Sequence, residues 1–577
     1  MGEKTLENLK KLLTFIQKYC SLIIPNDDKC EDNYSIIKRS NCIILIIAAI
    51  VFILIFRLFF LLFCDTYKHK IYIKKPLQFK RLPIVDRNGK NLVDSIEVYD
   101  FYLQPSKIND IKINIQKINK VIPNAIKNET AMFEKLKSSK QIANKTVFIK
   151  KEITIQQRQE LLDSGIEGMF FESKEKRSYT YPSTNSITGY CPSINNCVSG
   201  IEKSMNTFLT TPENKSLKLS INISVQNILR EILKKRVEET SSQGAVGIIM
   251  NIQTGEIISA ISLPDCDFND YSSTCTALSL FNKYSYGIYE LGSVMKLITV
   301  GLALQNGISP YKRYERKSYK IDDKFTIHDI DRKESGGGSL NLIEMTKKSS
   351  NVGFAKLMED INIENQVAFM SNLGLLKKLK TELPELAQPQ YPKKWTFVNA
   401  VTMSYGHGIA ITPLHYVAAI ASLLKNSIVQ PTFLAVDNEH NNKNQQNDEN
   451  SYKYLDDNEH NAFKYIMREV IKSGGGRSAY IDQYDIGGKT GTAIQLVNGK
   501  YNRYSMVLSF VAALPMDNPQ YVFFLMLDRP RTDKTNNATN RASNLLGSTM
   551  GYVISTIGQI LNIKPIENNV IHSKISD

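Results

Sequence analysis

From Cys42 to Cys64 the chain reads CIILIIAAIVFILIFRLFFLLFC, 23 residues carrying one charge, Arg57. Coiled as a helix, this run is about 34 Å long, enough to cross the hydrocarbon core of a bilayer. A buried helix of a water-soluble body rarely runs so far without a polar face, so residues 42–64 are expected to form a transmembrane anchor. Arg57 lies a turn or two from the far end, where its long stem can carry the charge out to the headgroups. No small-x-small cleavage signature follows the run, so the anchor is expected to be retained. The sequence has no second span of comparable length, which implies a single-pass protein with a large C-terminal body. Lys38 and Arg39 precede the run, and Lys68, Lys70, Lys74 and Lys75 follow it, so the positive-inside rule leaves the orientation open.

A chain of 577 residues exceeds what one core organises, and two or three domains are expected. The net charge of +15 suits a nucleic acid, an anionic membrane surface or an anionic substrate. It follows equally from an AT-rich coding sequence, because much of it is lysine scattered among isoleucine and asparagine. No aromatic-basic module supports a nucleic-acid partner. Beyond the anchor the cysteines fall as two close pairs, Cys191 with Cys197 and Cys266 with Cys275. Close pairs in a large exported body suit short-loop disulfides, with reduced thiols as the alternative. A metal site would need C-x-x-C spacings that are missing here, and none is expected.

After the anchor, Asp86-Arg87-Asn88-Gly89 marks a turn between β-rich segments, and residues 106–180 mix charged helical stretches with short strands. A second regime opens near Leu217 with a short strand. A helix follows, with Ile228, Leu229, Ile232 and Leu233 on one face. Two β-rich arms around Gln253-Thr254-Gly255 predict a hairpin. The stretches YSMVLSFVAALP and YVFFLMLDRP predict two more strands, and an apolar helix is expected near Asn544–Leu561. The order implies an α/β (α+β) body with an antiparallel sheet. Residues 437–460 are a low-complexity polar insertion, read as a solvated loop.

Chemistry concentrates around Ser293 and Lys296 in YELGSVMKLITVGLAL. Ser-x-x-Lys recurs at Ser35, Ser173, Ser309 and Ser422, so context must select among the copies. Gly292 permits a sharp turn, and the apolar run after Lys296 predicts a buried helix with Ser293 as its cap. Lys296 then projects from the same face one turn on. Burial and the positive end of the helix dipole both favour its neutral amine, which can accept a serine proton. Ser422 also sits in a buried helix, but Lys425 falls near the C-terminal end, where the dipole favours the ammonium. Two further stretches fit one reaction: Ser349-Ser350-Asn351 before a helix pattern, and Lys489-Thr490-Gly491-Thr492 opening a strand after a glycine pair.

Ser-x-x-Lys, Ser-x-Asn and Lys-Thr-Gly in this order resemble the penicillin-binding proteins and serine β-lactamases, whose motif set is known. The segments DRNGKNLVDS, GIEK, TGEIISAISLPDCDFN, SSNVG, GHGIAITPLH and GGKTGTA extend the resemblance from about Arg81 to Pro530. Together they look like a class B penicillin-binding protein. Ser-Ser-Asn at the second motif resembles the division-type (FtsI-like) branch more than the elongation branch. The resemblance implies a cytoplasmic tail (1–41), the anchor (42–64), an elongated β-rich pedestal of the dimerisation type (65–215), a transpeptidase domain (216–565) and a short tail (566–577). The transpeptidase sheet would have five strands flanked by helices.

Roles carry over by position. Ser293 would attack the penultimate D-alanyl carbonyl of a peptidoglycan stem peptide, with Lys296 as base and Ser349 as hydroxyl relay. Asn351 would orient the lysine and bind the acyl amide. Lys489 would supply positive potential, Thr490 and Thr492 would bind the substrate carboxylate beside Gly491, and the backbone N–H groups of Ser293 and Thr492 would form the oxyanion hole. No cofactor is implied. Implied partners are stem peptides ending in D-Ala-D-Ala, β-lactams, an FtsW-like glycosyltransferase and other division proteins. The implied location is the bacterial cytoplasmic (inner) membrane at the division site, with the body outside the cytoplasm. An elongation-type enzyme, or an idle penicillin-binding sensor or scaffold, is the competing reading. Departures from the family pattern are Leu291 for proline, Val294 for threonine, SGGGRS before Lys489, and Tyr405-Gly406-His407-Gly408. His407 is read as a structural histidine with its hydrogen bonds satisfied, an extra titrating group near the site being the alternative, and His328 as structural.

Overall fold

The computed structural model describes residues 44, 47, 48, 50–57 and 81–566, apart from 194–195, 322, 324, 330–337, 437–451, 498 and 532–540. Of the apolar run, Ile44, Ile47, Ala48 and 50–57 are helical with exposed side chains. Among the described residues no helix is long and apolar enough to cross a membrane. The rest of the expected anchor, the N-terminal tail, residues 567–577 and most of the polar insertion lie outside the described residues.

The described residues from 81 onward form one compact unit. Its N-terminal part is built on the strand Asn91–Leu103, which pairs antiparallel with Ile84–Val85, Val147–Ile153 and Met169–Tyr179. Ile84–Val85 pairs in parallel with Leu217–Lys218, tying the two ends of this part together. Helices Ile111–Val121, Glu129–Ser139 and Ile155–Asp163 contribute to a small core of Phe101, Leu103, Ile115, Ile118, Leu136 and Leu161. At the other end of the long strand, Ile84, Leu92 and Val93 join the core of the C-terminal part. An ion cluster sits there. Glu202 is fully buried, and its carboxylate accepts from Arg81 Nε at 2.6 Å and Arg177 Nε at 2.8 Å. The segments that resemble the family around Arg81 and Glu202 thus meet as one buried pair of guanidiniums on a carboxylate.

The C-terminal part carries a five-stranded antiparallel sheet in the order Gly487–Val497, Lys500–Leu514, Tyr521–Asp528, Gly244–Asn251, Ile257–Leu263. Both faces are covered, which is why its strands read as continuous apolar runs instead of alternating ones. Ile249, Phe523 and Leu525 face the terminal helices Ile223–Thr240 and Ala542–Ile560. Val246, Ile248, Phe524 and Met526 belong to the opposite core, with the helices Lys296–Gln305 and Pro413–Lys425. The hairpin around Gln253-Thr254-Gly255, the paired C-terminal strands and the last helix stand where the pattern placed them.

The polar insertion ends earlier than its composition implies. Tyr454 and Leu455 are buried, and a helix starts at Asp457, running to Ser473. The Asp456 side chain accepts from the Glu459 amide, and Glu459 reaches back to the Asp456 amide, a capping box inside sequence that reads as loop.

Candidate active site

Ser293 lies in a 3-10 turn, Gly292–Met295, that leads into the helix Lys296–Gln305. The turn makes no side-chain cap, so the expected capping role of Ser293 is corrected. What holds the serine is close backbone packing. Gly292 has φ +63°, and a Cβ there would stand 2.5 Å from the Thr492 carbonyl oxygen. A Cβ on Gly491 would stand 2.6 Å from the Leu291 carbonyl oxygen. Two glycines, one in each motif, therefore let the edge strand Gly487–Val497 lie directly against the serine turn. The burial alternates along that strand: Lys489, Gly491 and Ala493 are buried, while Thr490 and Thr492 remain partly exposed. The Thr492 hydroxyl oxygen also accepts from the Ala542 amide at 3.5 Å.

Lys296 is fully buried. Its Nζ lies 2.7 Å from the Ser349 carbonyl oxygen, 2.7 Å from Asn351 Oδ1, 3.1 Å from Ser293 Oγ and 3.2 Å from Ser349 Oγ. A neutral amine has two N–H donors and one lone pair. The carbonyl and amide oxygens can only accept, so they take both donors, and the lone pair is left to a serine hydroxyl. The geometry thus accommodates the base form of Lys296. Desolvation pushes its pKa well below the ordinary lysine value, and the charge of Lys489 pushes the same way; Asp329 pushes back. Lys489, also fully buried, donates to Ser349 Oγ at 3.0 Å and to the Thr490 carbonyl oxygen at 3.0 Å. Burial takes its pKa down to about 7. Ser349 is therefore a hydroxyl bridge between two lysines.

Ser349 ends the helix Leu342–Lys348 with φ +56°, and Asn351 begins the helix Asn351–Leu357. The kink between the helices aims the carbonyl of Ser349 and the side-chain amide of Asn351 at the Lys296 nitrogen. All five expected catalytic side chains, Ser293, Lys296, Ser349, Asn351 and Lys489, thus meet at one point. Among the described residues, the copies at Ser422 and Ser173 do not build such a site. Ser422 Oγ donates to the Ala418 carbonyl within its helix, and Lys425 Nζ reaches the Gln253 carbonyl at 2.9 Å. Ser173 is exposed and donates to Glu97 at 2.6 Å.

Comparison with known proteins bears on this constellation. Residues 244–547, more than half of the chain, match the penicillin binding protein transpeptidase domain, and residues 77–216 match the penicillin-binding protein dimerisation domain. The chain belongs to the penicillin-binding protein transpeptidase family. Among curated relatives, a "Probable peptidoglycan D,D-transpeptidase FtsI" of Caulobacter vibrioides is 28% identical over 503 residues, 83% of this chain and 81% of the relative. The peptidoglycan D,D-transpeptidase FtsI of Buchnera aphidicola (subsp. Baizongia pistaciae) is 27% identical, covering 84% of this chain and 87% of the relative. The crystal structure of penicillin binding protein 2X from Streptococcus thermophilus matches with a TM-score of 0.66 at 20% identity, covering 84% of this chain and 80% of that one. That likeness concerns the fold.

Within this family fold, three further groups surround the penicillin-binding-protein motifs. The expectation of a hydrogen-bonded structural His407 is corrected: Nδ1 is buried with no hydrogen-bond partner among the described residues. Its ring lies 5.7 Å from that of Tyr405 and 6.0 Å from that of Tyr501. Burial, reinforced by Lys296, lowers its pKa to about 4, so it is neutral at neutral pH. Glu290, three residues before the serine, accepts from the Gly408 amide at 2.8 Å, and burial raises its pKa. Asp329, outside every motif, accepts from the Ser350 hydroxyl at 2.7 Å. Sequence reasoning missed the last two, and only adjacency to Ser293 signalled Glu290. His328 is exposed and shares a hydrogen bond with Ser318 at 2.9 Å. The sulfurs of Cys191 and Cys197 are 2.06 Å apart and those of Cys266 and Cys275 are 2.17 Å apart, so each pair is joined as a disulfide.

Proposed function

We propose that this chain is a membrane-anchored, division-type peptidoglycan D,D-transpeptidase that works through an acyl-enzyme on Ser293. The observation that carries the reading is the buried Lys296 amine, held by the Ser349 carbonyl and Asn351 Oδ1 with its nitrogen 3.1 Å from Ser293 Oγ. Relatives named as peptidoglycan D,D-transpeptidases and as FtsI supply the substrate class and the division role.

Lys296 takes the Ser293 proton as Oγ attacks the penultimate D-alanyl carbonyl of a stem peptide. The backbone N–H groups of Ser293 and Thr492 receive the oxyanion. Collapse expels D-alanine, whose amine must gain a proton. Ser349 Oγ, within hydrogen-bond reach of both lysine nitrogens, relays it. Thr490 and Thr492 bind the terminal carboxylate, and Lys489 draws it in by charge. The amine of a second stem peptide then attacks the acyl-enzyme and returns the proton by the same path, forming the cross-link. β-Lactams enter as mimics of the donor and stop at the acyl stage.

The apolar run 42–64 is the anchor in this reading, the body acts outside the cytoplasm, and an FtsW-like glycosyltransferase supplies the glycan. A fluorescent penicillin should label the full-length protein covalently, and Ser293→Ala should not be labelled. Labelling that persists in Ser293→Ala would remove the nucleophile. A tagged copy should gather at midcell; an even distribution along the cell would favour the elongation role.

A further inference from the structure

Behind the Ser349–Asn351 loop lies an acid that the chemistry above leaves unused. Asp329 is 8% exposed and stands twenty residues before Ser349, outside the motifs, yet its carboxylate reaches the loop's far side. One oxygen accepts the Ser350 hydroxyl at 2.7 Å and the other accepts the Val352 amide at 3.0 Å. The Ser350 oxygen in turn accepts from the Gly353 amide at 3.0 Å. These bonds fix the backbone immediately after Ser349, which holds φ +56°. A serine keeps that left-handed conformation only where its surroundings over-determine it. The conformation matters to the reaction because it brings both the carbonyl and the hydroxyl of Ser349 to Lys296.

We propose that Asp329 is a positioning residue for acylation, holding Ser349 and Asn351 against Lys296 through Ser350 and the Val352 amide. The role rests on the acyl-enzyme reading given above. Asp329 touches no reacting atom and acts through the loop. Its charge has a second consequence. Three charged or titrating groups face Lys296: Lys489 from the edge strand, His407 from the Gly-His-Gly turn, and Asp329. Lys489 disfavours a proton on Lys296, His407 is neutral at neutral pH, and Asp329 favours the proton. The carboxylate therefore favours a proton within the Lys296–Ser349–Lys489 relay, against burial and the charge of Lys489. Arg316 Nε lies 3.7 Å from the Asp329 carboxylate, with its side chain 10% exposed.

Asp329→Asn preserves size and removes the charge. In full-length protein, the rate of acylation by a fluorescent penicillin is measured from about pH 5 to about pH 9. The expected result is a fall of roughly 10–100-fold at the optimum, the scale of a misplaced catalytic group. The acid limb should also move to lower pH by about one unit, because Lys296 loses an attractive charge. Ser350→Ala cuts the hydroxyl link and keeps the charge, so the rate should fall while the limb stays. Should Asp329→Asn melt too early to assay, the double variant Asp329→Asn with Arg316→Met removes both buried charges and carries the same expectation. Wild-type rates and a wild-type limb in Asp329→Asn and Ser350→Ala together overturn the role. A wild-type protein that takes no label at Ser293 overturns the acyl-enzyme reading and this role with it.

Discussion

Lys489→Met should move the pH dependence of acylation in the direction opposite to Asp329→Asn. The two lysine nitrogens lie 3.2 Å (Lys296) and 3.0 Å (Lys489) from the same Ser349 oxygen. They are thus within about 6 Å of each other, and unit charges at that distance repel by roughly 3 kcal/mol at an effective dielectric constant of about 20. That repulsion corresponds to about two pKa units on whichever lysine is protonated second. Burial brings Lys489 to about 7, so in acid solution it is charged and helps keep Lys296 neutral. Methionine preserves the length of the side chain without the charge. Lys296 should then hold its proton to higher pH, and the acid limb of the acylation rate should rise by one to two units, about the size of the lost repulsion. The plateau should fall as well, because the substrate carboxylate loses a cation. The assay follows fluorescent-penicillin adduct formation against time across pH. Only the position of the limb tests the coupling, and a limb that stays in place while the plateau falls would refute it.

The same substitution should stabilise the fold. Lys489 has a folded pKa of about 7, far below its ordinary value, so the unfolded chain binds more protons between the two and wild-type stability rises with pH across that window. The melting temperature of Lys489→Met should exceed that of the wild type most below about pH 7, and the gap should close as pH approaches about 10. Glu202→Gln leaves two buried guanidiniums facing an uncharged amide; unfolding by denaturant should show a loss of about 3–5 kcal/mol. Gly491→Ala cannot keep both the edge strand and the serine turn in place, since its Cβ would meet Ser509 Oγ at 2.5 Å and the Leu291 carbonyl oxygen at 2.6 Å. Acylation should fall at least tenfold, a loss of more than about 1.4 kcal/mol in transition-state stabilisation, with far-UV circular dichroism unchanged.

Much of this was legible because it is local. Alternation and apolar runs located the sheet strands, and the glycine pair before Lys489 marked the start of the edge strand. The three motifs named the side chains that meet. What the sequence hid depends on distance along the chain or on backbone conformation. Ser293 reads as a helix cap because serine before an apolar run usually is one. The competing fact, a glycine at φ +63° against a strand two hundred residues on, has no local signature. Asp329 sits in a polar stretch with nothing periodic about it, and its partners become visible only when the Ser350 turn folds over it. The Asp456-x-x-Glu459 cap was present in the letters, yet the asparagine-rich run around it masked it as loop.

Acyl transfer from Ser293 to an amine is the step that separates a transpeptidase from a hydrolase or a sensor. It is tested most directly by giving the full-length protein a D-Ala-D-Ala stem peptide and an amine acceptor and following free D-alanine and cross-linked product together by mass spectrometry. D-alanine and cross-link should appear in step, with a transient acyl adduct on the Ser293 peptide and neither product from Ser293→Ala. D-alanine release without cross-linking would make the protein a hydrolase. Penicillin labelling with no D-alanine release would make it a sensor, and either result would rule out acyl transfer to an amine.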